Sequence, residues 1–166
     1  MTADQDLNVF KFDLDLGGLP TAFVDGYEVV AVFETNFDND KKFYTDSNGL
    51  EMQERILNHR SYYDFSDWTN PSRPENNQNI SANYYPVNSA MAIRDTKSSA
   101  QMTVNVDKSV GGSSLYRDRM EFMHNRRTPC DDNKGVGEFL NETDAYGKGL
   151  RVDGSYYVQL SDKPSQ

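Results

Sequence analysis

From Leu7 to Leu160 the chain is divided into alternating or apolar runs of strand length, each stopped by a turn signal. Runs of that kind, spaced roughly 8–12 residues apart, point to short antiparallel strands packed as a sandwich. Leu7-Asn-Val-Phe-Lys-Phe-Asp-Leu-Asp-Leu16 alternates apolar and polar side chains up to Gly17-Gly18. A strand sends successive side chains to opposite faces, so this run is half buried. Tyr27-Glu-Val-Val-Ala-Val-Phe-Glu-Thr35 is a second strand, richer in β-branched residues. An Asp38-Asn-Asp-Lys turn leads to Lys42-Phe-Tyr-Thr-Asp46, which Ser47-Asn48-Gly49 stops. Asn-Gly is a strong hairpin signal, so residues 50–56 are expected to fold back as the partner strand. Leu50, Glu51, Met52, Gln53 and Glu54 would also suit a short helix. Further strands are expected at Ala90–Arg94, Ala100–Val106, 115–127 and 150–160. Gly111-Gly-Ser-Ser114 reads as a loop, 131–135 as a turn and 161–166 as a mobile tail.

Residues 58–82 are polar, with Pro71, Pro74 and an Asn/Gln run, and read as a long surface loop. The fold class is therefore all-β, an antiparallel β-sandwich with little helix, formed by 1–166 as a single segment. Its core is thinly supplied. Only 36% of residues are hydrophobic and the mean hydropathy is −0.80. Either the sandwich stands alone with long polar loops, or it is a slice whose neighbours complete the core.

The net charge of −9 disfavours nucleic acid and anionic membranes as partners, because both require a basic surface. Cys130 is the only cysteine, so no disulfide forms within the chain, and Asp131 and Asp132 beside it disfavour a reactive thiolate. With His59 and His124 the only histidines, a zinc site of N/S ligands is not assembled here. The sequence has no leader-like run at Met1 and no stretch of transmembrane length. Two sequons, Asn79-Ile-Ser81 and Asn141-Glu-Thr143, make Asn79 and Asn141 candidate glycosylation sites.

Four stretches in order carry a family resemblance: Phe43-Tyr-Thr-Asp-Ser-Asn-Gly-Leu50, Asn83-Tyr-Tyr-Pro-Val-Asn-Ser89, Gly111-Gly-Ser-Ser-Leu115, and Arg126-Arg127 followed by Asp131-Asp132 and Gly135-Val-Gly-Glu138. Together they resemble the region that follows the catalytic barrel in glycoside hydrolase family 38 α-mannosidases, closest to the lysosomal type. The resemblance implies a segment of a galactose-mutarotase-like supersandwich packed on a catalytic barrel, in a retaining enzyme that removes terminal α-mannose from glycans. It implies zinc in the full-length enzyme, held on the barrel and not in this chain, and a lysosomal, vacuolar or secreted location. Partners implied are the barrel, as domain or subunit, and mannose-containing glycans. No catalytic residue of that family is present, so this chain alone is expected to be inactive. Asp118-Arg119 departs from the family's glycine turn, and the stretch around 62–79 is longer than the family's connection.

Within the family one arginine of the pair reaches the sugar site. A guanidinium suits that task because its fixed fork of donors holds two hydroxyls at once. By strand alternation Arg126 shares a face with Met120 and Phe122, and Arg127 with Glu121 and Met123, which does not decide between them. Both are also natural ion-pair partners for nearby acids. Trp68, Tyr84 and Tyr85 are candidate sugar-stacking residues, with core packing or loop anchoring as the competing role. Pro86 makes Tyr85 extended, at a strand edge or bend. The alternative to the enzyme reading is a free-standing carbohydrate-binding or structural module without activity.

Overall fold

The computed structural model describes residues 2–4 (backbone), 8–22, 26–61, 78–131, 133, 135, 137 and 139–162. Their strands are β1 (Thr2–Asp4), β2 (Val9–Leu16), β3 (Tyr27–Glu34), β4 (Lys42–Ser47), β5 (Glu51–Ile56), β6 (Tyr85–Val87), β7 (Ala90–Arg94), β8 (Ala100–Val106), β9 (Val110–Ser113), β10 (Arg119–Arg127) and β11 (Val152–Asp162). Two antiparallel sheets result. The larger has seven strands in the order β1-β2-β11-β8-β7-β4-β5, the smaller four in the order β3-β10-β9-β6.

The β4–β5 hairpin forms as its Asn-Gly signal requires. Asn48 (φ 52°) and Gly49 (φ 71°) both take the left-handed conformation, and Leu50 N–H closes the turn on the Ser47 carbonyl at 3.0 Å. Register from Ser47↔Glu51 to Lys42↔Ile56 makes 51–56 a strand, because pairing outweighs its helix propensity.

Three expectations need correcting. Gly111-Gly112 is not a loop but part of β9, inside the small sheet. A Cβ on Gly112 would lie 2.7 Å from Val87 Cγ2 and 3.1 Å from Met91 Sδ, so glycine lets β9 pass close over the core. The strand expected from Leu115 begins only at Arg119. Finally, β11 runs two residues into the supposed tail, pairing Ser161 with Gln101 and Asp162 with Ala100. Most of the 58–82 loop lies outside the described residues. Its end folds as a turn and the 3-10 helix Ser81–Asn83.

The core lies between the sheets. Phe43, Met91, Ile93, Met102, Val104, Tyr156 and Val158 come from the large sheet, and Tyr85, Val87, Met120 and Phe122 from the small one. Phe33 of β3 meets Phe12, Phe122 and Tyr156 at centroid distances of 5.7, 5.8 and 5.6 Å, clamping β3 above β2 and β11. Aromatic contacts at such spacing each contribute about 0.5–1.5 kcal/mol beyond area burial.

Candidate functional site

The arginine pair is oriented by an irregularity in β10. Its register against β3 steps from Met123↔Val30 to Asn125↔Val29, leaving His124 as an extra residue. Such a bulge reverses alternation beyond it. Arg127, opposite Tyr27, therefore returns to the face of Met120 and Phe122, while Arg126, opposite Glu28, takes the outer face with Met123 and Glu121. This inverts the assignment made from simple strand parity. His124 is buried, with Nδ1 3.0 Å from Tyr156 Oη and Nε2 3.3 Å from the Val152 carbonyl. A carbonyl only accepts, so Nε2 carries a proton in this contact.

Arg127 is buried, and its two terminal nitrogens donate to the carbonyls of Glu142 and Asn141, each at 2.6 Å. It thereby holds the 140–142 segment against the end of β10. Arg126 is half exposed, and its Nε meets Glu28 Oε1 at 3.0 Å. Both flank a cleft of about 90 Å³ shared with Leu19, Leu140, Leu150 and Val152.

The two tyrosines are also engaged. Tyr84 donates its hydroxyl to Glu121, and burial followed by that carboxylate pushes its phenol well above the ordinary value. Tyr85 is buried against Phe43 at 5.7 Å. Arg55 and Arg60 lie 4.4 and 5.0 Å from its ring centroid, and Arg60 Nε donates to its hydroxyl at 3.2 Å. A cleft of about 260 Å³ opens there, lined by Glu54, Arg55, Ile56, His59, Arg60 and Tyr85. The basic wall of this cleft was not read from the sequence, where Arg55, His59 and Arg60 sit among polar residues with no motif. Trp68 lies outside the described residues.

Three of the motif stretches converge in space. Asp46 is buried; its Oδ1 accepts the backbone N–H groups of Asn88, Ser89 and Ala90 at 2.8, 2.9 and 3.2 Å, and Oδ2 that of Gly49 at 2.8 Å. Burial alone would push this carboxyl up, but the four N–H groups together hold it below the usual carboxylate range. Asn83 is fully buried; it accepts Asn58 N–H at 2.8 Å, donates to Asn58 Oδ1 at 2.7 Å and to the Asn79 carbonyl at 2.9 Å. Ser113 Oγ donates to the Asn83 carbonyl at 2.9 Å. The first motif is thus tied to the second through Asp46, and the second to the third through Asn83.

The sequence matches the glycosyl hydrolases family 38 C-terminal domain over residues 3–134. The chain belongs to this family. It is 36% identical to an α-mannosidase of Arabidopsis thaliana over 160 residues, covering 95% of this chain and 14% of that protein. Against the lysosomal α-mannosidase of Bos taurus it is 40% identical over 153 residues, 92% of this chain and 14% of the relative. The human lysosomal α-mannosidase is 37% identical over 150 residues, again 14% of its length. The chain thus spans about a seventh of the curated relatives it matches.

For a piece of a C-terminal family 38 domain, the contacts of Asp46, Asn83 and Ser113 are an architectural device: Asp46 ties the turn after β6 to the β4–β5 hairpin, and at the other end of β6 Asn83 ties Asn58, Asn79 and the end of β9 together. Among the described residues no group of three His, Cys, Asp or Glu side chains is placed to hold a metal. The sequon residues Asn79 and Asn141 are both exposed, as glycan acceptors must be.

Proposed function

We propose that this chain is the β-sandwich portion of a zinc-dependent, retaining α-mannosidase that removes terminal α-mannose from glycans. The observation that carries the reading is its identity of 36–40% to α-mannosidases over more than nine-tenths of its length, as about a seventh of theirs. The catalytic barrel, with its zinc and carboxylates, belongs to the remainder of the enzyme. A lysosomal, vacuolar or secreted setting is supported by the lysosomal relatives and by exposed sequons at Asn79 and Asn141.

In this reading the sandwich contributes one arginine toward the sugar. Arg126 suits that role, because an ion pair exposed on both sides is cheaply exchanged for sugar hydroxyls. Arg127 is a positioning residue that holds the adjoining 140–142 segment. The tyrosines are engaged elsewhere: Tyr84 with Glu121, and Tyr85 with Arg55 and Arg60 in the separate cleft of about 260 Å³.

The test is hydrolysis of an aryl α-mannoside. The full-length enzyme should turn it over and the purified 166-residue chain should not. Turnover by the isolated chain, or none by the full-length protein supplied with zinc, overturns the reading. Arg126→Ala in the full-length enzyme should raise KM or lower kcat with little change in melting temperature. An unchanged kcat/KM removes Arg126 from the site.

A further inference from the structure

The two sheets do not match in width, and the excess lies beside one strand edge. The seven-stranded sheet extends past the four-stranded one on the β2 side, where Phe33 on Phe12 marks the last row of contact. On the inner face at and past this row, Phe12 and Phe10 are each 37% exposed, and Leu160 near the end of β11 is 53% exposed. These side chains point inward, since Phe12 pairs with Tyr156, Phe10 with Val158 and Leu160 with Met102, all core residues. An inward-facing phenylalanine left in water lacks a covering layer.

The edge beside this gap is β3. Among the described residues β10 is its one strand partner. Thr35 N–H donates to the Asp118 carbonyl at 2.8 Å, and the register continues through Glu34↔Arg119 and Phe33↔Met120. Backbone groups alternate in direction along a strand, so Phe33 and Ala31 face β10. Val30, Val32 and Glu34 then present their N–H and C=O groups to the open side. The other edges are blunted. β5 carries Glu51, Glu54 and Arg55, β6 has three residues including Pro86, and β1 has three residues. β3 has eight residues, with Val-Val-Ala-Val-Phe at its centre, and its terminal acids are answered by Arg126 and Arg119 of β10 at 3.0 and 3.1 Å. A long apolar edge without protection is a template for another strand.

We propose that the open edge of β3 is completed by a β-strand from the remainder of the α-mannosidase, which widens the small sheet over Phe10, Phe12 and Leu160. The occupant follows from the relatives, in which a chain of this kind makes up only 14% of the length. The inference rests on reading this chain as part of that larger enzyme. It adds where the sandwich is joined, through backbone hydrogen bonds with a hydrophobic strip beneath them.

Hydrogen exchange with residue-level fragmentation on the full-length enzyme is the test. Amides of Val30, Val32 and Glu34 should be as protected as those of Ala31 and Phe33. If they exchange about a hundredfold faster than their β10-facing neighbours, the edge is open in the assembled enzyme and the proposal falls. Protection that disappears on dilution assigns the edge to a second copy and equally overturns it. Val32→Pro removes an N–H that has no strand partner among the described residues, so it should deprotect Val30 and Glu34 while sparing Ala31 and Phe33; Val32→Thr should change neither. Unaltered protection at Val30 and Glu34 in the proline variant also refutes the proposal. Mannoside turnover, measured separately, distinguishes the two failures. A protected edge without turnover sinks only the proposed activity; turnover with an open edge sinks only the added strand.

Discussion

Asp46 offers the sharpest test of what holds the sandwich together. Its carboxylate accepts four backbone N–H groups, three of them from the turn that leads into β7 and one from the β4–β5 hairpin. Bonds to an ionised acceptor contribute about 1.5–3 kcal/mol each, but three of these share one oxygen and some released N–H groups would find water. Asp46→Ala should therefore cost about 3–5 kcal/mol, the range found when one partner of a buried charged contact is removed. Asp46→Asn can keep an oxygen toward Asn88, Ser89 and Ala90, yet its amide nitrogen then meets Gly49 N–H donor to donor. The loss there should be about 2–3 kcal/mol.

Urea unfolding reads this directly. With a slope near 2 kcal/mol/M, the midpoint should fall by about 1–1.5 M for Asp46→Asn and about 2 M for Asp46→Ala at unchanged slope. The pH dependence supplies the second arm. The folded carboxyl titrates below its unfolded value of 3.8, so the unfolded chain binds this proton first. The stabilisation is whole above that value and is lost as pH falls through the lowered folded one. The gap between wild type and Asp46→Asn should therefore narrow on acidification below about pH 4. A cost below about 0.5 kcal/mol for Asp46→Asn, or a gap that widens in acid, would refute the reasoning.

Arg127→Ala should cost about 2–3 kcal/mol and open the 140–142 segment to limited proteolysis, because two carbonyls lose a charged donor. Arg126→Ala should cost less than about 0.5 kcal/mol, its pair with Glu28 being exposed. Gly112→Ala should destabilise by about 1–3 kcal/mol, and Val87→Ala should recover part of that loss by removing the methyl group 2.7 Å from the new Cβ. Burial, and after it Asp107, push the Tyr156 phenol up to about 12 from 10.0. Its contribution is thus whole below pH 10 and is lost as pH rises through 12, a limb of the alkaline unfolding profile that Tyr156→Phe should lack.

The strands that alternate or carry β-branched residues, β2, β3, β8 and β11, were legible because burial of one face leaves a period of two in the sequence. β9 was not, since Gly111-Gly112 has the composition of a turn and is required by close packing on Val87 and Met91, a constraint that exists only once the sheets are stacked. The bulge at His124 was equally silent, because nothing in Met123-His124-Asn125 distinguishes an extra residue from a regular one. Yet that single insertion decides which arginine faces outward.

The motif stretches show the complementary case. Their family likeness was plain in the sequence, and their physical role was not, because Asp46 and Ser89 are 43 positions apart and meet only in the fold. The contacts that join three of them make those stretches interdependent: a change in one leaves buried N–H or carbonyl groups of another without a partner. Changes at Arg126 and changes to the stability of the sandwich are then separable. These contacts act through β4, β6, β7 and β9, whereas Arg126 sits at the far end of β10 on the β3 side. In the full-length enzyme proposed above, a variant of Asp46 that lowers activity should do so through loss of folded protein, with kcat/KM per folded molecule unchanged. A fall in kcat/KM at full folding would instead show that these contacts and the arginine end of β10 are coupled through the sheet.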